Sequence, residues 1–403
     1  MKLINIVFFL IGLLVVNGCR NHSGTVSSTS EMVEKMDGAS EAIDDSLKKA
    51  NALQLQAQIK RVVLPAAQTL PVAQSTDEDA ADDPAIWYNV NNPEESRILG
   101  TDKKAGLALY NLDGQLVDFK AVGCINNVDI RYNFQLGNER IDVAAASNRT
   151  DNSIVLFRIY PDSLEIINSK PALLNTSLID DAYGCCMFRS PRDKHYYVFV
   201  GGKNGYIQQW QLYPEGNKIG LFPVRNIHVS SQSEGMAADD ETGMLYVAEE
   251  GRGIWKMSAE ADEGNHKQLI AYSDSLNPNI VYDLEGLDIY YAPGGKGYLI
   301  ASSQGNFSYA VFQREGNNSY LGSFVINDTD TIDGVEETDG LCVTNLSLGS
   351  KYPNGLMVVQ DGFNTEEGAP VPQNFKLVDW SGVANAFNDP LVIAPDYKDW
   401  MSN

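Results

Sequence analysis

The feature that most constrains the architecture is a period. From Asp82 to Val378 the chain repeats one unit six times: a polar residue opens a short apolar strand, a turn follows, a β-rich apolar run ends on a second polar residue, and a third strand leaves after another turn. The unit is plainest from Glu234 to Met257. There Glu234-Gly235 precedes an apolar triplet, residues 239–243 turn, residues 244–248 are apolar, and residues 254–257 follow a second turn. The openings at Asp83, Asp129, Tyr183, Glu234, Glu285 and Asp339 lie 46, 54, 51, 51 and 54 residues apart. That is the spacing of propeller blades, longer than that of leucine-rich or most helical repeats. The expected fold is all-β, a six-bladed β-propeller over residues 61–403. Residues 62–65 and 70–72, extended and proline-bearing, suit an edge strand that closes it.

In a radial array equivalent strand ends collect around one mouth of the axis. Unit by unit, that mouth should carry Asp82 and Asp83 with Lys103 and Lys104; Asn126, Asn127 and Asp129 with Arg149; Asp181 and Tyr183 with Lys203; Glu234 with Glu249 and Glu250; Asp283 and Glu285 with Gln304 and Asn306; and Asp333 and Asp339 with Asp361 and Asn364. Three units are basic on their second strands and three are acidic, so the two halves of the mouth differ in sign. Asp and Gly populate turns for backbone reasons alone, a lone Tyr183 would belong in a core, and Lys103-Lys104 alone would be a solvated pair. Recurrence at six aligned positions carries the functional reading. Asp239, Asp240 and Glu241 fall at the opposite end and are expected only to be solvated.

Hard carboxylate and amide oxygens without a His/Cys cluster select Ca2+ or Mg2+ over zinc. The acidic run from Asp328 to Gly334 has its third carboxylate and glycine one place late for an EF-hand, leaving another kind of calcium loop or a plain acidic turn. Several divalent cations beside Lys103, Arg149 and Lys203 suit a dense polyanion such as a phosphate monoester. No Arg-His-Gly run, His-Cys-x5-Arg run or P-loop is present, so attack by a metal-activated water is what remains. Calcium acidifies water weakly, which calls for several ions.

A net charge of −23 argues against a nucleic-acid partner; it fits a cation binder, or serves solubility alone. At the N-terminus Lys2, an apolar run from Ile6 to Val16 and Asn17-Gly18-Cys19 read as a lipoprotein signal peptide over 1–18 with lipidation at Cys19. Residues 19–60 read as a spacer, partly helical or disordered. The expected place is outside the cytoplasm, lipid-anchored to a bacterial membrane, as a monomer. Cys124, Cys185, Cys186 and Cys342 match no zinc spacing and are buried thiols or include one disulfide.

Six runs of residues resemble the β-propeller phytases, the alkaline, calcium-dependent phytases of bacteria. They are Asp82 to Trp87, Asn126 to Tyr132, Ala145 to Arg149, Glu234 to Glu241, Ala301 to Asn306 and Thr338 to Gly340. The resemblance implies a six-bladed propeller that hydrolyses phytate with several calcium ions on one face and an affinity site for a second phosphate. It implies phosphate and transition-state contacts at Lys103, Arg149, Tyr183 and Lys203, with Lys104 and Asn204 beside them. It implies catalytic calcium and water at Glu234, Glu250, Asp283, Glu285 and Asp339, and a structural calcium at Asp83, Asn127 and Val128. Asp82, Asp333, Asp361 and Asn364 complete the expected metal ligands. The chain departs from the family at Asn204 and Phe363, where acidic residues are usual, and at Leu70, where the opening strand often carries Glu.

The function expected is that of a 3-phytase-type phosphoric monoester hydrolase acting on phytate or calcium phytate. The alternatives are a non-catalytic calcium-dependent polyanion binder and a calcium lactonase, the latter giving Lys103, Arg149 and Lys203 no task.

Overall fold

A computed structural model describes residues 46–72, 79–272 and 277–402, and from Lys48 onward they form one compact unit. The signal peptide, Cys19 and most of the spacer lie outside the described residues.

Six antiparallel sheets follow one another along the chain, each a four-stranded meander running outward from an inner strand. The inner strands are Ala81–Trp87, Ile125–Leu136, Ala182–Arg189, Ser233–Asp239, Leu284–Ala292 and Leu341–Thr344, and they define blades I to VI. Every second strand (Arg97–Asp102, Glu139–Asn148, Tyr196–Gly202, Met244–Glu249, Lys296–Ser303, Leu356–Asp361) is buried over most of its length. Such strands pack on both faces and read as apolar runs rather than alternations. The six-bladed expectation is met.

The ring is closed by the chain's two ends. Ala67–Gln68 supplies the outer strand of blade VI, pairing antiparallel with Asn374–Asp379. Just before it, Arg61–Val63 adds a fifth, parallel strand to blade V. The edge-strand reading thus holds for a segment centred between its two proline-bearing pieces. Residues 48–56, within the stretch read from sequence as a partly helical or disordered spacer, are helical and pack on the same unit, with Ala52 and Ile59 buried.

Neighbouring blades are fastened by inner-strand carboxylates that accept a backbone N–H from the next blade. Asp83 takes that of Val128 (3.1 Å), Asp129 that of Met187 (2.8 Å) and Asp288 that of Val343 (2.7 Å). Asp240 reaches back to Arg189 N (3.1 Å). At the end of the axis away from the polar mouth, Trp400 stacks on Tyr291 (4.8 Å between ring centres) and lines a small axial cavity.

Two expectations are corrected. Asp239 and Asp240 are buried, not solvated: Arg314, itself fully buried, pairs with Asp239 (2.6 Å) and Glu241 (2.6 Å), and Arg131 pairs with Asp240 (2.8 Å). Apolar neighbours left these carboxylates no water, so each needed a guanidinium. All four described cysteines are free, with Cys185 and Cys186 buried, which removes the disulfide alternative.

Candidate active site

Each of the first five inner strands carries a β-bulge at the same place, its mouth end. The register shifts span Ala81/Pro84, Ile125/Val128, Ala182/Cys185, Ser233/Met236 and Leu284/Leu287. The residues set free are Asp82-Asp83, Asn126-Asn127, Tyr183-Gly184, Glu234-Gly235 and Glu285-Gly286. A bulge re-aims side chains, and here it turns one polar group per blade toward the axis. Asp339-Gly340 does the same just before the inner strand of blade VI. The freed N–H groups are taken up by side chains of the second strands: Thr101 binds Asp83 N (2.9 Å), Ser147 binds Asn127 N (3.1 Å) and Gln360 binds Asp339 N (3.1 Å).

Glycine follows the polar residue in four blades because the next blade's backbone comes close. A Cβ at Gly184 would lie 2.0 Å from Glu234 O, at Gly235 1.7 Å from Glu285 O, at Gly286 2.8 Å from Asp339 O and at Gly340 2.6 Å from Asp82 O. Each glycine thereby brings one mouth residue up against the next.

The outcome is two carboxylate clusters that share Glu234. Asp82, Glu234 and Asp339 offer oxygens within 4.8 Å of one another, and so do Glu234, Glu250 and Glu285. Burial and mutual repulsion disfavour their charges. Asp82, Glu234 and Glu250 are each pushed up to about 7, chiefly by burial, and Glu285 and Asp339 lie well above the usual carboxylate range for the same reason. Asp283 stands at the exposed rim beside them. Asn126 Nδ2 donates to Glu234, and Gln232 Nε2 to the Tyr183 hydroxyl (3.3 Å). Burial and the neighbouring Glu234 keep that hydroxyl protonated.

The basic side chains lie where the sequence placed them. Lys103 Nζ is 2.8 Å from Asp79 and 3.4 Å from both Asp82 and Asp339; burial works against its charge, but those carboxylates outweigh it and hold it protonated. Arg149 is 3.0 Å from Asp181, which Lys203 approaches at 3.8 Å while lying over the Tyr183 ring. Asp83, Asn127 and Val128 also come together: Val128 N donates to Asp83, while Asn127 Oδ1 accepts from Asn126 Nδ2 (2.9 Å).

Other expected residues fall elsewhere. Lys103, Arg149, Glu250 and Gln304 each follow the last second-strand residue and donate their backbone N–H to a carbonyl just ahead of the blade's mouth residue. The sixth equivalent is Gly362, whose N–H binds Glu336 O (2.9 Å), not Asp361. One residue along a strand reverses the side, so Asp361 points away from the mouth. With Asp333 and Asn364 it surrounds the fully buried Lys376, whose Nζ is 2.5 Å from Asp333, 3.0 Å from Asp361 and 2.8 Å from Asn364. All three expected metal ligands thus contact an ammonium here. Asn204, expected as a phosphate contact, has its amide engaged in the turn: Nδ2 donates to Leu178 O (2.8 Å) and Oδ1 accepts from Tyr206 N (3.2 Å). Lys104 is exposed, outside the cluster.

Sequence reasoning missed Asp79 and Glu337. Asp79 ends the acidic run ahead of Asp82, three residues from it. Glu337 fills the space that side-chain-less Gly362 leaves, where a Cβ would lie 2.8 Å from Glu337 Oε2; burial, then Asp339, pushes it up to about 7.

The residues present fit hard divalent cations. Asp82 Oδ2, Glu250 Oε1 and Glu285 Oε2 are buried without a hydrogen-bond donor, the ligand atoms are all oxygen, and five carboxylates crowd one mouth. A cation of high charge would satisfy the oxygens and relieve the repulsion together.

Comparison with known proteins agrees. A family model described as Phytase matches residues 36–399. The chain is also 44% identical over 322 residues, 79% of its own length and 83% of the relative's, to the 3-phytase of Bacillus subtilis (strain 168). With a six-bladed propeller and a carboxylate-lined, lysine- and arginine-flanked mouth in hand, this enzyme belongs to the phytase family.

Proposed function

We propose that the chain is a calcium-dependent phytase that hydrolyses myo-inositol hexakisphosphate to lower inositol phosphates and inorganic phosphate. The observation that carries this is the pair of carboxylate clusters sharing Glu234, with orphaned oxygens, beside Lys103, Arg149 and Lys203. Glu234, Glu250, Glu285, Asp82 and Asp339 would hold the cations, with Asp283 at the rim. Calcium bound there supplies neutralisation of phosphoryl oxygens and a lowered pKa for water.

The chain's own groups do the rest. Lys103, Arg149 and Lys203 grip the phosphoryl oxygens and stabilise charge that grows on them in the transition state. Their present partners, Asp82, Asp339 and Asp181, are the groups that cations and substrate would relieve. Tyr183 keeps its proton and donates it in a hydrogen bond. Glu250, with Oε1 unpartnered, is placed to take the proton of an attacking water. Asp339→Ala tests the assignment: phosphate release from phytate should disappear while the melting temperature holds. Retained turnover would sink it.

Exported placement belongs to the same reading: residues 1–18 direct export, Cys19 carries the lipid and the enzyme works as a monomer. Cys19→Ala should move activity from the membrane to the soluble fraction; activity still sedimenting with membranes would refute the anchor.

A further inference from the structure

Asp82 and Asp339 come from the first blade and the last, and they must stand side by side for the first carboxylate cluster to exist, although like charges repel. Lys103 reaches both at 3.4 Å, but it is itself assigned to the substrate. Their spacing needs a hold that neither cation nor substrate draws away.

One position in the second strands supplies such holds. Two residues before Lys103, Arg149, Lys203, Glu250, Gln304 and Gly362 stand Thr101, Ser147, Gly201, Ala248, Ser302 and Gln360, all buried. Where that position bears a polar side chain, the side chain serves the mouth. Thr101 accepts from Asp83 N (2.9 Å) within blade I. Ser147 accepts from Asn127 N (3.1 Å) and donates to Tyr183 O of blade III, and Ser302 donates to Thr338 O of blade VI (3.0 Å). Gly201 and Ala248 have no polar group to offer, and there main chain ties the second cluster, Leu284 N donating to Glu250 O (3.3 Å). Of the six, Gln360 has the longest arm, with an acceptor and a donor at its tip. Its Oε1 accepts from Asp339 N (3.1 Å), and its Nε2 donates to the carbonyl of Ala81 (3.4 Å), the residue before Asp82. Its own N–H donates to Gly340 O (3.1 Å), and Gly340 N donates to Asp82 O (3.1 Å). A single amide, 1% exposed, thus spans blades VI and I behind the two aspartates.

We infer that Gln360 is a positioning residue for the cation site of Asp82, Glu234 and Asp339, setting the separation of the two aspartates before an ion arrives. The inference rests on the reading of those carboxylates as cation ligands, and it concerns binding of the ion rather than the chemistry on phytate. Ligands held in place beforehand lose less freedom on binding, and removing a group that orients metal ligands from behind typically costs about 10- to 100-fold in metal affinity. A merely structural role, pairing a buried N–H, predicts lost stability and nothing more.

The test is calcium titration of the full-length, chelator-stripped protein by calorimetry, beside thermal melts in excess chelator. Gln360→Met keeps the length of the side chain and removes both of its hydrogen bonds. Calcium affinity at one class of sites should fall about 10-fold or more. The free calcium needed for half-maximal phosphate release should rise by a similar factor, with kcat recovered at saturating calcium. Gln360→Asn keeps the amide on a shorter arm that serves only one of the two partners, so its affinity should fall between those of the parent and Gln360→Met; it also gives the answer where Gln360→Met does not fold. Parental calcium affinity together with a lowered melting temperature in chelator overturns the positioning role and leaves Gln360 a structural residue. A parent protein that binds calcium yet releases no phosphate from phytate fails the phytase reading, while the affinities of the two variants still decide the inference about Gln360.

Discussion

Asp339 is held from three sides: Gln360 fixes its backbone, Lys103 its carboxylate, and Asp82 with Glu234 completes its cluster. Asp339→Asn keeps the shape and removes the charge. It should cut kcat about 100- to 1000-fold with no loss of melting temperature, since one of several crowded carboxylates has gone; a variant within threefold of the parent would show that Asp339 is only packing. At this scale the sequence was readable where residue type and strand position agreed, as for Lys103, Arg149, Tyr183, Glu234 and Glu250. It did not show that Asp361, one residue off the mouth position, lies on the other side of the sheet, nor that Lys376, remote in sequence from Asp333, comes to lie among Asp333, Asp361 and Asn364. Glu337 was hidden for a related reason: its role depends on the missing side chain of Gly362.

The elements that make the mouth are a bulge and a close-packed glycine, repeated from blade to blade. Gly235→Ala places a methyl group 1.7 Å from Glu285 O. It should cost about 2–3 kcal/mol in chemical denaturation and separate Glu234 from Glu285 enough to lower calcium affinity; unchanged stability would mean that the inner strands slide freely. Lys376→Met leaves buried Asp361 and half-buried Asp333 without their counter-ion. A loss of about 3–5 kcal/mol is expected, and a neutral result would show that the lysine is not the cation holding that loop. The polar-Gly pairs at 183, 234, 285 and 339 were visible in the sequence as a period, so the blades were legible. The docking of helical residues 48–56 was not, because a helix-prone polar stretch reads as a spacer until its contacts with blades V and VI are seen.

For the whole molecule, charge crowding ties stability to pH and to cations. The unfolded carboxylates titrate near 4, whereas folded Asp82, Glu234 and Glu250 are pushed up to about 7, and burial holds Glu285 and Asp339 well above their ordinary range. Between those values the cation-free folded state binds more protons than the unfolded one, so its stability falls as pH rises from about 4 through 7. Divalent cations take the place of those protons. In thermal melts, calcium should therefore raise the melting temperature more at pH 8 than at pH 5; an equal shift at both would deny the linkage. The measurement that bears most directly on the central claim is phosphate release from phytate by the purified protein as free calcium is raised from a chelator-buffered zero. Release should be absent at zero and rise with calcium over several bound ions. Full-rate release in the presence of excess chelator would contradict the account.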